Sequence, residues 1–285
     1  MDVRFHIGQS IVHSVASTLM LMLLVIGAAA QNADLLKSVE LCNGVDRTSA
    51  EPQIMGCTAL IKSGLENPKT LVAAYNNRGN AYTSKGEYEL AIHDYDEAIK
   101  LDPTDAKPYN NRGVAYQKKA EYNRAIKDLD AAIGINANYA DAFANRAETY
   151  EKMGDYGRAL KDFDVAIRLL PTIGGVWNER CWTRALVGEL QTALADCNEA
   201  IRLEPNIAAA FDSRGLTYLK LGQWELAIVD YDSALRLDPK LASALYGRGF
   251  AKLKKGDLAG GQADIAAAKI VNQNIVGEFA RYGVH

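Results

Sequence analysis

From Val72 onward, apolar and small residues return every 34 positions, and cutting the chain at that interval gives six units without a gap: 72–105, 106–139, 140–173, 174–207, 208–241 and 242–275. A large apolar column (Tyr75, Tyr109, Phe143, Trp177, Phe211, Leu245) is followed four residues on by a small one (Gly79, Gly113, Ala147, Cys181, Gly215, Gly249). Three further on stand Tyr82, Tyr116, Tyr150, Arg184, Tyr218 and Lys252. The spacing i, i+4, i+7 places these columns on one face of an α-helix. Gly86, Ala120, Gly154, Gly188, Gly222 and Gly256 then mark a turn, since glycine ends a helix in a left-handed cap.

A second helix follows in each unit. Ala91, Ala125, Ala159, Ala193, Ala227 and Gly261 precede by four residues Tyr95, Leu129, Phe163, Cys197, Tyr231 and Ile265. Three further on, alanine stands at 98, 132, 166, 200, 234 and 268. Small residues let two helices approach closely while large ones fill the gap. Pro103, Pro171, Pro205 and Pro239 break the chain before the next unit, with Ala137 and Gln273 as the exceptions.

This aromatic–Gly–Tyr…Ala–aromatic–Ala…Pro spacing resembles the tetratricopeptide repeat and covers 204 of 285 residues. The resemblance implies an all-α, right-handed superhelical solenoid of antiparallel helix pairs, the first helix of each pair lining a concave groove. Each hairpin is too small to bury its own apolar face, so stability is expected from stacking on neighbours. Residues 31–71 read as a degenerate capping repeat and linker containing Pro68, and 276–285 as a C-terminal cap. Ile275, Phe279 and Tyr282 fall at i, i+4 and i+7, the pattern of a short amphipathic helix over the last apolar edge.

The groove stripes left by the core columns read Asn76/Asn80/Thr83, Asn110/Val114/Gln117, Ala144/Glu148/Glu151, Asn178/Trp182/Ala185, Asp212/Leu216/Leu219 and Tyr246/Phe250/Leu253. They run from amide, through acidic, to apolar. Relatives that bind extended peptides hold the ligand main chain with groove asparagines; Asn77, Asn111 and Asn145 match that site, and Glu179, Ser213 and Gly247 do not. Trp182, Leu216, Leu219, Tyr246, Phe250 and Leu253 are expected to leave an apolar patch toward solvent, which marks an interaction surface. A foreign partner, self-association and a folded-back C-terminus are the three occupants to weigh.

One column departs from the commonest pattern: Arg78, Arg112, Arg146, Arg180, Arg214 and Arg248 precede the small site, and sixteen residues after each comes Asp94, Asp128, Asp162, Asp196, Asp230 or Asp264. The arginines read either as a ladder for carboxylate or phosphate ligands or as ion pairs joining the two helices of each hairpin. The second reading is preferred, because a near-core arginine is costly to desolvate alone and the aspartate column supplies its partner.

The first thirty residues are different. Arg4 precedes an apolar run from Val15 to Ile26, and Ala28-Ala29-Ala30 offers a small-residue cleavage site. That is the outline of a secretory signal peptide cut after Ala30, an uncleaved anchor being the alternative. Together with the resemblance, to exported bacterial repeat proteins in particular, it points to a periplasmic or secreted protein. In an oxidising compartment four cysteines imply disulfides, and the repeat register pairs Cys42 with Cys57 and Cys181 with Cys197, the latter at the small and aromatic columns of one unit.

The formal net charge of −3 offers no field for nucleic acid, and no membrane association is expected once the leader is cut. Beyond the leader only His93 and His285 remain, so no metal or Ser–His–Asp constellation is expected and no cofactor is implied. Glu148 and Glu151 are a conceivable catalytic pair, but i, i+3 carboxylates are commonly plain surface. The expected function is therefore a non-catalytic scaffold or adaptor of the cell envelope that binds a peptide or partner segment in its groove. The alternative is a self-associating component of a secretion, pilus or polysaccharide-export assembly.

Overall fold

The computed structural model describes residues 33–44, 49–64 and 67–285; the leader and its cleavage site after Ala30 lie outside them. Among the described residues all regular structure is helical. They fall into two compact units, the first ending at Lys119 and the second running Ala120–His285. The first holds α1 (33–42), α2 (Ala50–Lys62), α3 (Pro68–Ser84), α4 (Tyr88–Leu101) and α5 (Ala106–Lys118). The second holds α6 (Tyr122–Ile135), α7 (Ala140–Lys152), α8 (Tyr156–Leu169), α9 (Gly174–Val187), α10 (Leu190–Leu203), α11 (Ala208–Lys220), α12 (Trp224–Leu237), α13 (Ala242–Lys254), α14 (Leu258–Val271) and α15 (Ile275–Arg281).

Successive helices pair as antiparallel hairpins because the turn column stops each first helix. At Gly154 (φ 78°) the amide of Asp155 donates to Tyr150 O and that of Gly154 to Glu151 O, closing a Schellman turn that satisfies the last carbonyls of α7. Ala120, in the same column, has φ 60° and is the one left-handed non-glycine among the described residues. Pro68, read from the sequence as part of a linker, is instead the first residue of α3. Asn67 caps that helix by accepting from Lys69 N at 3.0 Å, and a proline is preorganised for a position whose N–H has no helical partner.

Within a hairpin the small column meets the large one. A Cβ on Gly79 or Gly215 would fall within 2.8 Å of the ring of Tyr95 or Tyr231, so glycine is the residue that admits a tyrosine there. The same place is filled by Ala147 with Phe163, and by the Cys181–Cys197 disulfide, whose Cα atoms are 5.3 Å apart. Cys42–Cys57 closes the α1–α2 hairpin with Cα atoms 4.5 Å apart. In that register Leu41 and Gly56 stand where Arg180 and Asp196 stand, and a Cβ on Gly56 would lie 2.6 Å from that of Leu41. An uncharged leucine against a bare backbone thus replaces the ion pair and lets the helices come closer.

Candidate functional site

The arginine column is built into the frame. Arg78, Arg146, Arg180, Arg214 and Arg248 each make a two-pronged contact, Nε and Nη2 donating to both carboxylate oxygens of Asp94, Asp162, Asp196, Asp230 and Asp264 at 2.6–2.8 Å. The remaining Nη1 reaches back sixteen residues to the preceding hairpin: Arg146 to Asp130 (2.6 Å), Arg180 to Asp164 (2.7 Å), Arg214 to Asn198 (2.7 Å) and Arg248 to Asp232 (2.8 Å). Arg112 contacts Asp96 in the same way, and Arg78 finds Thr58 at 3.0 Å. The guanidiniums of Arg78, Arg146, Arg180, Arg214 and Arg248 therefore each join three helices. Those of Arg78, Arg112, Arg146, Arg180 and Arg214 lie over the aromatic ring one turn earlier, 4.9 Å from the centroid for Arg180 over Trp177.

The sequence reading missed that second acceptor column, although its signal was present. Asp-x-Asp or Asp-x-Asn recurs at 94–96, 128–130, 162–164, 196–198 and 230–232, and becomes Asp264-Ile265-Ala266 in the last unit, where the position sixteen residues on is Tyr282 rather than arginine. The exceptions in the tyrosine column are explained too. Arg184 and Lys252 add a second cation to the same aspartates, Arg184 Nη1 to Asp196 and Lys252 Nζ to Asp264, at 2.7 and 2.8 Å.

In the first unit the groove amides bond to one another and to the chain itself. Asn110 donates to Asn111 Oδ1 (3.0 Å), Asn111 to Asn76 Oδ1 (2.9 Å), and Asn77 Nδ2 to the carbonyl of Cys42 (3.2 Å). Asn80 Oδ1 accepts from the Tyr95 hydroxyl at 2.8 Å, and Gln117 is buried. In the second unit Asn145 is half-buried on α7, its carbonyl accepting from Thr149.

The apolar residues of the second unit do not face solvent as expected. Leu216, Leu219 and Tyr246 are buried. The C-terminal segment shares their core: α15 packs against α13 and α14, Ile275, Phe279 and Val284 are buried in the same cluster as Leu216, Leu219 and Tyr246, and Tyr282 reaches Trp182 of α9. Phe279 stacks on Tyr246 with ring centroids 4.6 Å apart, and Tyr282 meets Trp182 edge-on at 5.0 Å. Phe250 packs edge-on to Trp224 at 6.4 Å under Lys254, and Leu253 turns into its own hairpin toward Gly261. Gly247 lacks a side chain because the Tyr231 ring fills the space a Cβ would take.

Between α7, α9 and α11 the stripe is acidic. Glu151 Oε2 accepts from Thr183 Oγ (2.7 Å), Glu179 Oε1 from Asn178 Nδ2 (3.3 Å), and Asp212 Oδ2 from Ser243 Oγ (2.7 Å). Burial, reinforced by the charges of Glu151 and Glu148, raises the Glu179 carboxyl to about 7; burial alone raises Asp212 to about 7, Ser243 opposing. Glu151 is raised by burial as well. Asn178 Oδ1, Asp212 Oδ1 and the Tyr231 hydroxyl are buried without hydrogen-bond partners. Among the described residues no three His, Cys, Asp or Glu side chains are placed to hold a metal ion, and no helix is long and apolar enough to cross a membrane.

Helical hairpins of 34 residues with these small–large columns define a helical-repeat protein. Family models for the TPR repeat match residues 72–119 and 215–256, and models for the tetratricopeptide repeat match 106–139 and 140–173, together just over half of the chain. The chain belongs to the tetratricopeptide repeat family. Among solved structures it is similar to YrrB, described as a TPR protein with an unusual peptide-binding site, at 26% identity and TM-score 0.52 over 67% of this chain and 97% of that one. A tetratricopeptide repeat protein from Parabacteroides merdae shares the fold at 18% identity and TM-score 0.65, over 89% of this chain and all of its own. A chain of the APC/C hetero-tetramer Cut9–Hcn1 does so at 13% identity and TM-score 0.65, over 84% of this chain and 48% of that one. Comparison with curated protein sequences returns no match.

Proposed function

We propose that this chain is a non-catalytic scaffold of the cell envelope that binds a short amphipathic partner segment on the face formed by α9, α11 and α13. The observation that carries the reading is that this face already holds such a segment: α15 seats an isoleucine and two aromatic side chains against Trp182, Leu216 and Tyr246. An amphipathic helix laid in an apolar groove is a recurring mode of peptide recognition, and here the chain supplies an internal example of the chemistry that fits. The peptide-binding description of YrrB is in keeping with it. Export through the 1–30 leader is part of the proposal, and two disulfides in one chain accord with an oxidising compartment.

The reading is tested by crosslinking capture from an envelope extract with three forms of the mature chain, Gln31–His285. These are the native sequence, a groove variant (Trp182→Ala, Tyr246→Ala, Phe250→Ala) and a tail variant (Phe279→Ala, Tyr282→Ala). A partner enriched by the tail variant and lost with the groove variant supports it. A partner held equally by all three places binding elsewhere, and recovery of the chain alone favours self-assembly.

A further inference from the structure

The acidic stripe beneath the tail has no counterpart in the other repeats. At the groove position of Glu179 the earlier repeats carry Asn77, Asn111 and Asn145, all neutral. The aspartates of the second helices are answered by arginines, whereas Glu151 and Glu179 are answered by Thr183 and Asn178. The cation they feel is Lys152, an exposed residue of α7. From α15, the groups that face this region are Glu278 and Arg281, felt at Tyr282, whose hydroxyl also senses Asp212 and Glu151.

Two further acceptors lie on the groove stripe of α9 and α11, one of them bonded to Glu179. Asn178 is 5% exposed; its Nδ2 is spent on Glu179, which fixes the amide orientation and leaves Oδ1 without a partner. Asp212 is 8% exposed, with Oδ2 held by Ser243 and Oδ1 unpartnered. The two occupy the same groove position on α9 and α11. A buried acceptor without a donor is costly, and one bonded to a carboxylate calls for a group that only donates. Among biological ligands that is an ammonium, with three donors, or a guanidinium, with five. A metal ion is disfavoured, since the described carboxylates are not gathered into a coordinating set.

We propose that the face of α7, α9 and α11 is a receptor for one cationic side chain, lysine or arginine, carried by the segment that occupies the groove. The assignment rests on the groove reading above and adds a specificity to it. The cation would sit where Tyr282 now lies, between Trp182 and the carboxylates, so the aromatic face of Trp182 would contribute as well. The partner is then a short helix with apolar residues one turn apart and a basic residue in the place of Tyr282.

The test uses fluorescein-labelled peptides of residues 274–285 in which Tyr282 is replaced by arginine or by citrulline, a neutral isostere. The receptor is the mature chain carrying Phe279→Ala and Tyr282→Ala, so that its own tail competes weakly. The arginine peptide is expected to bind about tenfold more tightly than the citrulline peptide. That preference should disappear when the receptor also carries Glu151→Gln and Glu179→Gln, isosteric changes whose folding is checked by circular dichroism. Equal affinity of the two peptides for the receptor with its carboxylates intact overturns the cation site while leaving the groove reading in place. Binding by neither peptide removes the groove reading and this assignment together.

Discussion

Tyr282 sets its ring edge-on against Trp182, 5.0 Å between centroids, although the two stand one hundred residues apart in the chain. The contact shows that the C-terminal segment does more than cover the last hairpin: beyond α13 and α14, on which α15 packs, its Tyr282 reaches α9. Phe279 and Ile275 are almost wholly buried, at 1% exposure each. Truncating a buried phenylalanine commonly costs about 3–5 kcal/mol, but a terminal seven-residue helix can undock without unfolding the rest. The Phe279→Ala, Tyr282→Ala variant is therefore expected to keep its helical content while tryptophan emission shifts to the red and the amides of α15 exchange rapidly. A cooperative loss of the whole second unit would show instead that the tail is integral to the fold.

Tyr231 holds in α12 the place that Tyr95 holds in α4, with a different fate for its hydroxyl. Tyr95 donates to Asn80 Oδ1 at 2.8 Å and lies 3.1 Å from Thr83 Oγ. The matching residues around Tyr231 are Leu216 and Leu219, and its buried hydroxyl has no partner. Removing one partner of a made hydrogen bond costs about 1 kcal/mol, whereas deleting an unsatisfied buried hydroxyl is neutral or stabilising. Tyr95→Phe is expected to lower the urea midpoint, and Tyr231→Phe to leave it unchanged or raise it. Equal losses would contradict the pairing described.

Asp162 and Asp130 both contact Arg146 but are not equivalent. Asp162 is buried and takes two prongs of the guanidinium, while Asp130 is exposed and takes one. Replacing Asp162 by alanine leaves a largely desolvated arginine with half its partners, a loss expected at about 2–4 kcal/mol. Asp130→Ala is expected to cost less than about 1 kcal/mol, as exposed pairs do. Thermal melts of the two variants in parallel check the order, and a larger loss for Asp130→Ala would refute it.

The repeat columns were legible because each reflects a local constraint repeated six times: Gly79 against Tyr95, Gly154 in a left-handed turn, Arg146 sixteen residues before Asp162. The Asp96–Asp232 column escaped because it satisfies the next repeat's arginine rather than its own, and columns were paired within units. The path of the tail, one of three occupants weighed for the apolar patch, was left open for a different reason. Ile275, Phe279 and Tyr282 announce an amphipathic helix but not which face it covers, since periodicity fixes the orientation of side chains about an axis and not where that axis is laid. The expected exposure of Tyr246 failed on that ambiguity, and Leu216 and Leu219 are buried in the same cluster with Tyr231.

Glu179 and Asp212, both held at about 7 chiefly by burial, give the second unit a pH dependence of definite sign. In the unfolded chain each loses its proton near pH 4, so between about pH 4 and 7 the folded chain binds more protons. Their contribution is fully present below pH 4 and is lost as pH rises through 7. A Glu179→Gln, Asp212→Asn variant should escape that loss, so its melting temperature is expected to exceed the native one by more at pH 8 than at pH 5. A difference that shrinks with rising pH would contradict the burial of these acids.

The central claim, that the α9–α11–α13 face is a segment-binding surface now held by the chain's own tail, is met most directly by competition. A labelled peptide of residues 274–285 in its native sequence is titrated into the native chain, the Phe279→Ala, Tyr282→Ala variant, and that variant with Trp182→Ala and Tyr246→Ala added. The account predicts weak binding to the first, binding at least about tenfold tighter to the second, and none to the third. Identical affinity for all three would mean that the tail and the peptide do not share a site, and the account would fall.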